Sequence, residues 1–137
     1  IDILEIGFNA GFSSLLMLYS NPNVIINCID IGSHSYIIPC YNKIKEDFPD
    51  RIFLTIGNSV DVLSEVYLEN KKFNLIHIDG GHTIKIARAD INNSLKKINS
   101  GGLIVFDDYN LPTLKKVIDS YNFNNISNNE LQAVFYQ

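Results

Sequence analysis

The chain has no apolar run long enough to cross a bilayer. Its longest apolar stretches, such as Val24–Ile26 and Leu103–Phe106, are strand-length, whereas a membrane span takes about 20 apolar residues. No basic leader followed by an apolar block opens it, so neither an export signal nor a membrane partner is expected. Blocks of like charge are missing too: 11 Lys and Arg stand against 15 Asp and Glu, a net −4. Binding nucleic acid by neutralising phosphates needs a basic face, so that class is disfavoured. Cysteine is scarce. Cys28 and Cys40 lie in apolar surroundings without C-x-x-C spacing. They read as buried free thiols, which fits a reducing compartment and a cytoplasmic location. No internal repeat, low-complexity tract or linker appears before Asn122.

What is there is enough for one core. The 137 residues are 46% hydrophobic and 19% charged, the balance of a folded domain rather than a disordered tail. Two periods alternate along the chain. Ile1–Ile6, Val24–Asp30, Arg51–Ile56, Phe73–Ile78 and Leu103–Phe106 read as strands. Between them, Phe12–Tyr19 is a Leu-rich helix, and Pro39 can occupy the first turn of another carrying Cys40, Tyr41, Ile44 and Phe48. Ser59 can cap a helix running to about Glu69, with Val62, Leu63 and Val66 inward. The clearest helix is Thr83–Ile98, with Ile84, Ala87, Ile91, Leu95 and Ile98 on one face and Gly101-Gly102 as its stop. Pro112 opens a last helix with a stripe of Leu114, Val117, Ile118 and Tyr121. Tyr121–Asn129 reads as an Asn-rich loop, and Leu131–Tyr136 as a final strand.

Strands that are continuous Val/Ile/Leu runs are buried on both faces, as in a parallel sheet between helix layers. The expected fold is therefore α/β, a doubly wound, mostly parallel Rossmann-like sheet. Its final strand pair is open at this point: either the segment near Ile126 is a degenerate strand, or the sheet is incomplete. In such sheets a ligand sits beyond the C-terminal strand ends. Those ends are polar: Glu5-Ile6-Gly7 through Gly11-Phe12-Ser13, then Asp30, then Gly57-Asn58-Ser59, then Asp79-Gly80-Gly81-His82, then Asp107-Asp108-Tyr109.

The first turn carries Gly7 and Gly11, four apart, entering a helix. The dinucleotide fingerprint needs a further glycine between them, so a pyrophosphate is poorly served and an NAD-dependent oxidoreductase is disfavoured. Glu5 would repel phosphates but suits an ammonium or sulfonium. Asp30 stands where a carboxylate grips a ribose diol. Together they point to a nucleoside with a cationic tail; the competing reading is a tight turn with an incidental acid. Asp79, Asp107 and Asp108 end strands whose backbones would run about 4.8 Å apart. Carboxylates that close resist joint ionisation unless a cation sits between them. Oxygen donors favour Mg²⁺, with Mn²⁺ or Ca²⁺ behind it. Helix capping and solvent exposure compete for each single Asp. His82 can take a proton from an acceptor hydroxyl, or it caps the helix. His77 reads as a core histidine. His34 falls on a loop near the nucleoside, and Tyr109 reads as packing or as a pocket wall.

The E-x-G-x-x-x-G-x-S run, the acid closing the second strand and the Gly-x-Ser closing the third resemble class I S-adenosylmethionine-dependent methyltransferases. Asp-Gly-Gly-His, a helix, then Gly-Gly-Leu-Ile-Val-Phe-Asp-Asp-Tyr resembles the metal-dependent O-methyltransferases, both catechol-type and macrolide-sugar enzymes. The resemblance implies S-adenosylmethionine as cofactor. Gly7 and Gly11 would shape its turn, Glu5 would sit near the methionine ammonium and Ser13 would contact the carboxylate. Asp30 would bind the ribose, Asn58 would join the cofactor group and Ser59 would lie at the adenine. Asp79 would serve cofactor, metal and catalysis. Asp79, Asp107 and Asp108 would hold a divalent cation, Mg²⁺ first, and His82 would be the base. Catechol-type enzymes carry Asn where this chain has Asp108. The acceptor implied is a small hydroxylated molecule, a sugar or a phenol, with no nucleic acid: no Asn/Asp-Pro-Pro-Tyr motif follows the fourth strand. A homo-oligomer is compatible with this. The sequence opens at Ile1 inside a strand-like run, so residues 1–137 are expected to be a single methyltransferase domain, a fragment lacking N-terminal helices. The alternative function is a non-catalytic cofactor-binding module or a complex subunit.

Overall fold

A computed structural model describes residues 1–64, 70–129 and 131–136. Five parallel strands, β1 (Asp2–Ile6), β2 (Ile25–Asp30), β3 (Ile52–Ile56), β4 (Phe73–Ile78) and β5 (Ile98–Phe106), form the body of a sheet. Two antiparallel strands, β6 (Asn124–Asn128) and β7 (Ala133–Tyr136), complete it in the order β3-β2-β1-β4-β5-β7-β6. This is the expected doubly wound α/β sheet with its final strand pair present. The strand order reverses between β1 and β4, so the crevice beyond their C-terminal ends is the switch point where such sheets take ligands.

Alternation along the strands divides the core into two layers. Ile3, Ile26 and Cys28 pack with Leu18, Ile37 and Ile44, from the helices α1 (Phe12–Ser20) and α2 (Ile37–Asp47). Leu4, Ile6, Ile76 and Ile104 pack on the other face. Their partners are Val62 of α3 (Ser59–Val62), Ala87 and Ile91 of α4 (Ile84–Lys97), and Leu114, Val117 and Ile118 of α5 (Pro112–Ile118). Both faces of the central strands are covered, which is why they read as unbroken apolar runs. Pro112 opens α5 at its first position, where a missing N–H costs nothing. No helix of the described residues is long and apolar enough to cross a membrane.

Four local expectations change. The Asn-rich segment is a strand, not a loop. All five residues of β6 are exposed, so there is no apolar alternation to see, and only its pairing with β7 makes it a strand. The cap of α3 is Asn58, whose side chain accepts from the Val60 N–H at 3.1 Å, rather than Ser59. The described helix ends at Val62, and Val66 with the expected run to Glu69 lies outside the described residues. Thr83 caps α4 by accepting from the Ile86 N–H at 3.3 Å. That helix ends at Lys97, before the glycines. Ile98 is already extended and pairs with Phe73, and β5 then runs through Gly101-Gly102 with a register shift against β4. Ile84 is exposed, and the buried face of α4 is Ala87, Asp90, Ile91, Ser94 and Lys97.

Candidate active site

The turn after β1 sets the floor of the site. Gly7 has φ +96, and a Cβ there would stand 1.9 Å from the backbone oxygen of Asp79. Only glycine lets β1 and β4 close to this distance. Gly11, with φ +79, starts α1, and a Cβ on it would meet Phe8 and Ile44 side chains at 2.6 Å. The Gly7 N–H donates to Ile29 at 2.8 Å, and the Asp79 N–H to Ile6 at 2.8 Å. The ends of β1, β2 and β4 are thereby locked together.

Above this floor opens a cleft bordered by Gly7, Asp30, His34, Ser59, Asp79 and His82 among others. Asp30 is 8% exposed. Its Oδ2 accepts from the Asn9 N–H and its Oδ1 from the Gly32 N–H, both at 2.8 Å. A carboxylate has about four acceptor positions, so two backbone donors fix its orientation and leave capacity for hydroxyls. The Tyr36 hydroxyl donates to Asn9 Oδ1 at 2.6 Å, and His34 stacks on Tyr36 with centroids 5.0 Å apart. Asn58 borders the cleft while capping α3. Ser59 borders it too, with its hydroxyl donating to Asp90 Oδ1 at 2.6 Å.

Glu5 and Ser13 lie beneath the turn and do not border the cleft. Glu5 is 0% exposed. Its carboxylate accepts from the hydroxyls of Ser13 and Ser14, lies 3.2 Å from His77 Nδ1 and accepts from Cys28 Sγ at 3.6 Å. The Ser13 proton is therefore committed to Glu5 and is not offered to a carboxylate ligand. Glu5 faces Cys28 on one neighbouring strand and His77 on the other. This row ties the cofactor-side turn to the sheet. Burial pulls the His77 imidazole down, but the hydrogen bond and charge of Glu5, with Asp79 and Asp107 behind, raise it above the usual value. Burial, then the charge of Glu5, pushes the Cys28 thiol up and makes it unreactive. Cys28 and Cys40 are free, the first buried and the second half-buried.

At the ends of β4 and β5 the acids gather around a histidine. Ligand atoms of Asp79, His82 and Asp108 all lie within 4.8 Å of one another, and His82 Nε2 is 2.9 Å from Asp108 Oδ2. Asp108 has φ +53, a left-handed bend that Asp tolerates. Of the expected trio, Asp79 and Asp108 fall in this group with His82, and Asp107 stands beside it, close enough for its charge to act on Asp79. Asp107, like Asp79, His82, Asp90 and Asp108, borders a smaller pocket beside the cleft. Tyr109 is buried packing, its hydroxyl donating to Asp119 at 2.7 Å.

Burial and the charge of Asp107 push the Asp79 carboxyl from 3.8 up to about 6. A carboxyl raised by folding favours the protonated folded state, so the metal-free protein should lose stability as pH rises through that window. A divalent cation bound to ionised Asp79 should reverse this. We expect Mg²⁺ or Mn²⁺ to raise the melting temperature above pH about 6, and the rise to fade as pH falls through it. Melting curves at fixed pH with and without the ion check it; a rise that persists unchanged at pH 5 would exclude Asp79 as a ligand.

The family model described as a methyltransferase domain matches residues 4–109. No curated protein matches the sequence. Among solved structures, CalS11, a TDP-rhamnose 3'-O-methyltransferase of calicheamicin biosynthesis, is similar over 98% of this chain and 70% of its own, with TM-score 0.76 and 18% identity. An O-methyltransferase from Bacillus cereus in complex with SAH is similar over 99% and 74%, with TM-score 0.75 and 15% identity. The SAH-bound methyltransferase PaMTH1 of Podospora anserina is similar over 99% and 71%, with TM-score 0.75 and 16% identity. At these identities the likeness is one of fold.

Proposed function

The chain belongs to the methyltransferase domain family, and from that premise we propose that it methylates a hydroxyl of a small acceptor, using S-adenosylmethionine, with residues 1–137 acting as one domain. The observation that carries this reading is the Asp79–His82–Asp108 cluster, of which Asp79 and His82 border the same cleft as Gly7 and Asp30. The donor set suits S-adenosylmethionine: Asp30 for the ribose diol, Ser59 and Asn58 at the adenine end, and acids rather than basic groups around a cationic tail. Bound there, it supplies a sulfonium methyl group, an electrophile that needs no activation. Glu5 acts from beneath, holding the first turn of α1 through Ser13 and Ser14.

Asp79 and Asp108, with Asp107 beside them, are the residues that would hold a divalent cation; close carboxylates, one pushed up to about 6 by burial and by Asp107, favour such a partner. A cation there supplies charge that makes an acceptor hydroxyl more acidic. Asp108 accepts from His82 Nε2 in this reading, which leaves Nδ1 to take the hydroxyl proton and stabilises the imidazolium that results. The other task is alignment of acceptor oxygen and methyl carbon, supplied by the fixed walls of the cleft. A sugar or phenol hydroxyl fits this apparatus, and the sugar-nucleotide acceptor in the name of CalS11 supports the former.

Titration calorimetry with S-adenosylmethionine, S-adenosylhomocysteine and NAD tests the cofactor. Binding of the two adenosyl compounds and not of NAD is expected; the reverse overturns the reading. Asp30→Ala should weaken S-adenosylhomocysteine binding by about 1–3 kcal/mol, through loss of charge-assisted hydrogen bonds.

A further inference from the structure

Asp90 lies in the middle of α4, yet it is 0% exposed. Its Oδ1 accepts from the Ser59 hydroxyl at 2.6 Å, and its Oδ2 has no hydrogen-bond partner among the described residues. A carboxylate is costly to bury, and an apolar residue would pack as well beside Ala87 and Ile91. Asp90 is also confined. Gly80 closes over Oδ2 so tightly that a Cβ there would stand 3.1 Å from it. The loop carrying Asp79 thus bounds the carboxylate on one side while Ser59 is held on the other.

The consequence falls on Ser59, which is half-buried and borders the cleft. A hydroxyl has one proton and two lone pairs. Burial raises the Asp90 carboxyl and the Ser59 hydrogen bond draws it back down; as a carboxylate accepting at Oδ1 it has no proton to give, so the Ser59 proton is committed to Asp90. What the serine has left for the cleft is an acceptor. We propose that Asp90 is a positioning residue that fixes the polarity of Ser59, so that this end of the cleft accepts a hydrogen bond from an amino group and rejects a carbonyl. The inference rests on the cofactor reading above, in which Ser59 lies at the adenine. Adenine carries an exocyclic amino group, a donor. Hypoxanthine carries a carbonyl at that position, and its lone pairs would face those of Ser59 with no proton between them.

The test compares S-adenosylhomocysteine with its 6-oxo counterpart, S-inosylhomocysteine, by calorimetry on the wild type, Ser59→Ala and Asp90→Asn. The wild type should prefer the amino compound by about tenfold or more. Ser59→Ala should weaken the amino compound several-fold and bind the 6-oxo compound as tightly as the wild type or more so. Asp90→Asn keeps the shape but can donate to Ser59, which frees the serine proton for the ligand; the 6-oxo compound should then bind more tightly than to the wild type. If Asp90→Asn does not fold, Ser59→Ala carries the test, because a serine acting as donor would instead lose affinity for the 6-oxo compound. A wild type that binds neither compound overturns the cofactor reading and this inference together. A wild type that binds S-adenosylhomocysteine without preference, or a variant that keeps the wild-type ratio, overturns the inference alone. General loosening of the fold would weaken both ligands equally and leave the ratio unmoved.

Discussion

Gly7→Ala is expected to destabilise the protein by about 3 kcal/mol or more and to abolish S-adenosylhomocysteine binding. Two effects add. The φ of +96 lies where an L side chain is strained, and the new Cβ would stand 1.9 Å from the Asp79 carbonyl oxygen and 2.7 Å from its carbon. Those are backbone atoms, so no rotamer change relieves the overlap; β1 and β4 must separate. Separation would break the Asp79 N–H bond to Ile6 and shift Asp79 away from His82 and Asp108. Gly80→Ala is the control, since its Cβ would meet only side-chain atoms, Asp90 Oδ2 and Ile6 Cγ2, at 3.1 Å. Urea unfolding and calorimetry on both variants measure the difference. A Gly7→Ala protein with wild-type stability and affinity would mean that the two strand ends are not in contact.

His82→Ala is expected to lower turnover by about 10² or more while leaving cofactor affinity unchanged, because a base acts only on the acceptor proton. The side chain is 53% exposed, so its loss should change stability by no more than about 0.5 kcal/mol. The cation-induced rise in melting temperature separates two roles for this residue. As a base oriented by Asp108, His82 can be removed and the rise persists. As a ligand with Asp79 and Asp108, its removal diminishes the rise along with turnover. Should turnover survive at saturating cation, the proton leaves by another group. The aspartates beside His82 are then the remaining acceptors, and Asp79→Asn or Asp108→Asn would lower turnover more than His82→Ala does.

Much of this molecule is legible from the chain because its signals are local. Alternating apolar runs and helical stripes report hydrogen-bonding periods within a few residues, so the parallel strands, the helix faces and the strand-end position of Gly7, Asp30, Asp79 and Asp108 follow from sequence order. The turn glycines are local as well: four residues of spacing and a following helix announce the backbone bend. Ile98 and β6 escape this logic. Ile98 leaves the helix because Phe73 offers it a ladder partner, and β6 is a strand only through β7.

The chemistry of the site is where tertiary structure decides. The sequence alone determined which acids and which histidine stand at the strand ends, since that depends only on where each strand stops. It did not determine which of them meet. Glu5 is drawn inward because the register sets it between Cys28 and His77, and the following helix brings Ser13 and Ser14 over it. Ser59 finds Asp90, 31 residues away, only because α3 and α4 pack on the same face. Asp108 meets Asp79 and His82 through ligand atoms within 4.8 Å, while its chain neighbour Asp107 acts on Asp79 through its charge. The left-handed φ of Asp108 sets where its carboxylate lies, and a backbone angle of that kind is held by the surrounding fold rather than by the residue that adopts it.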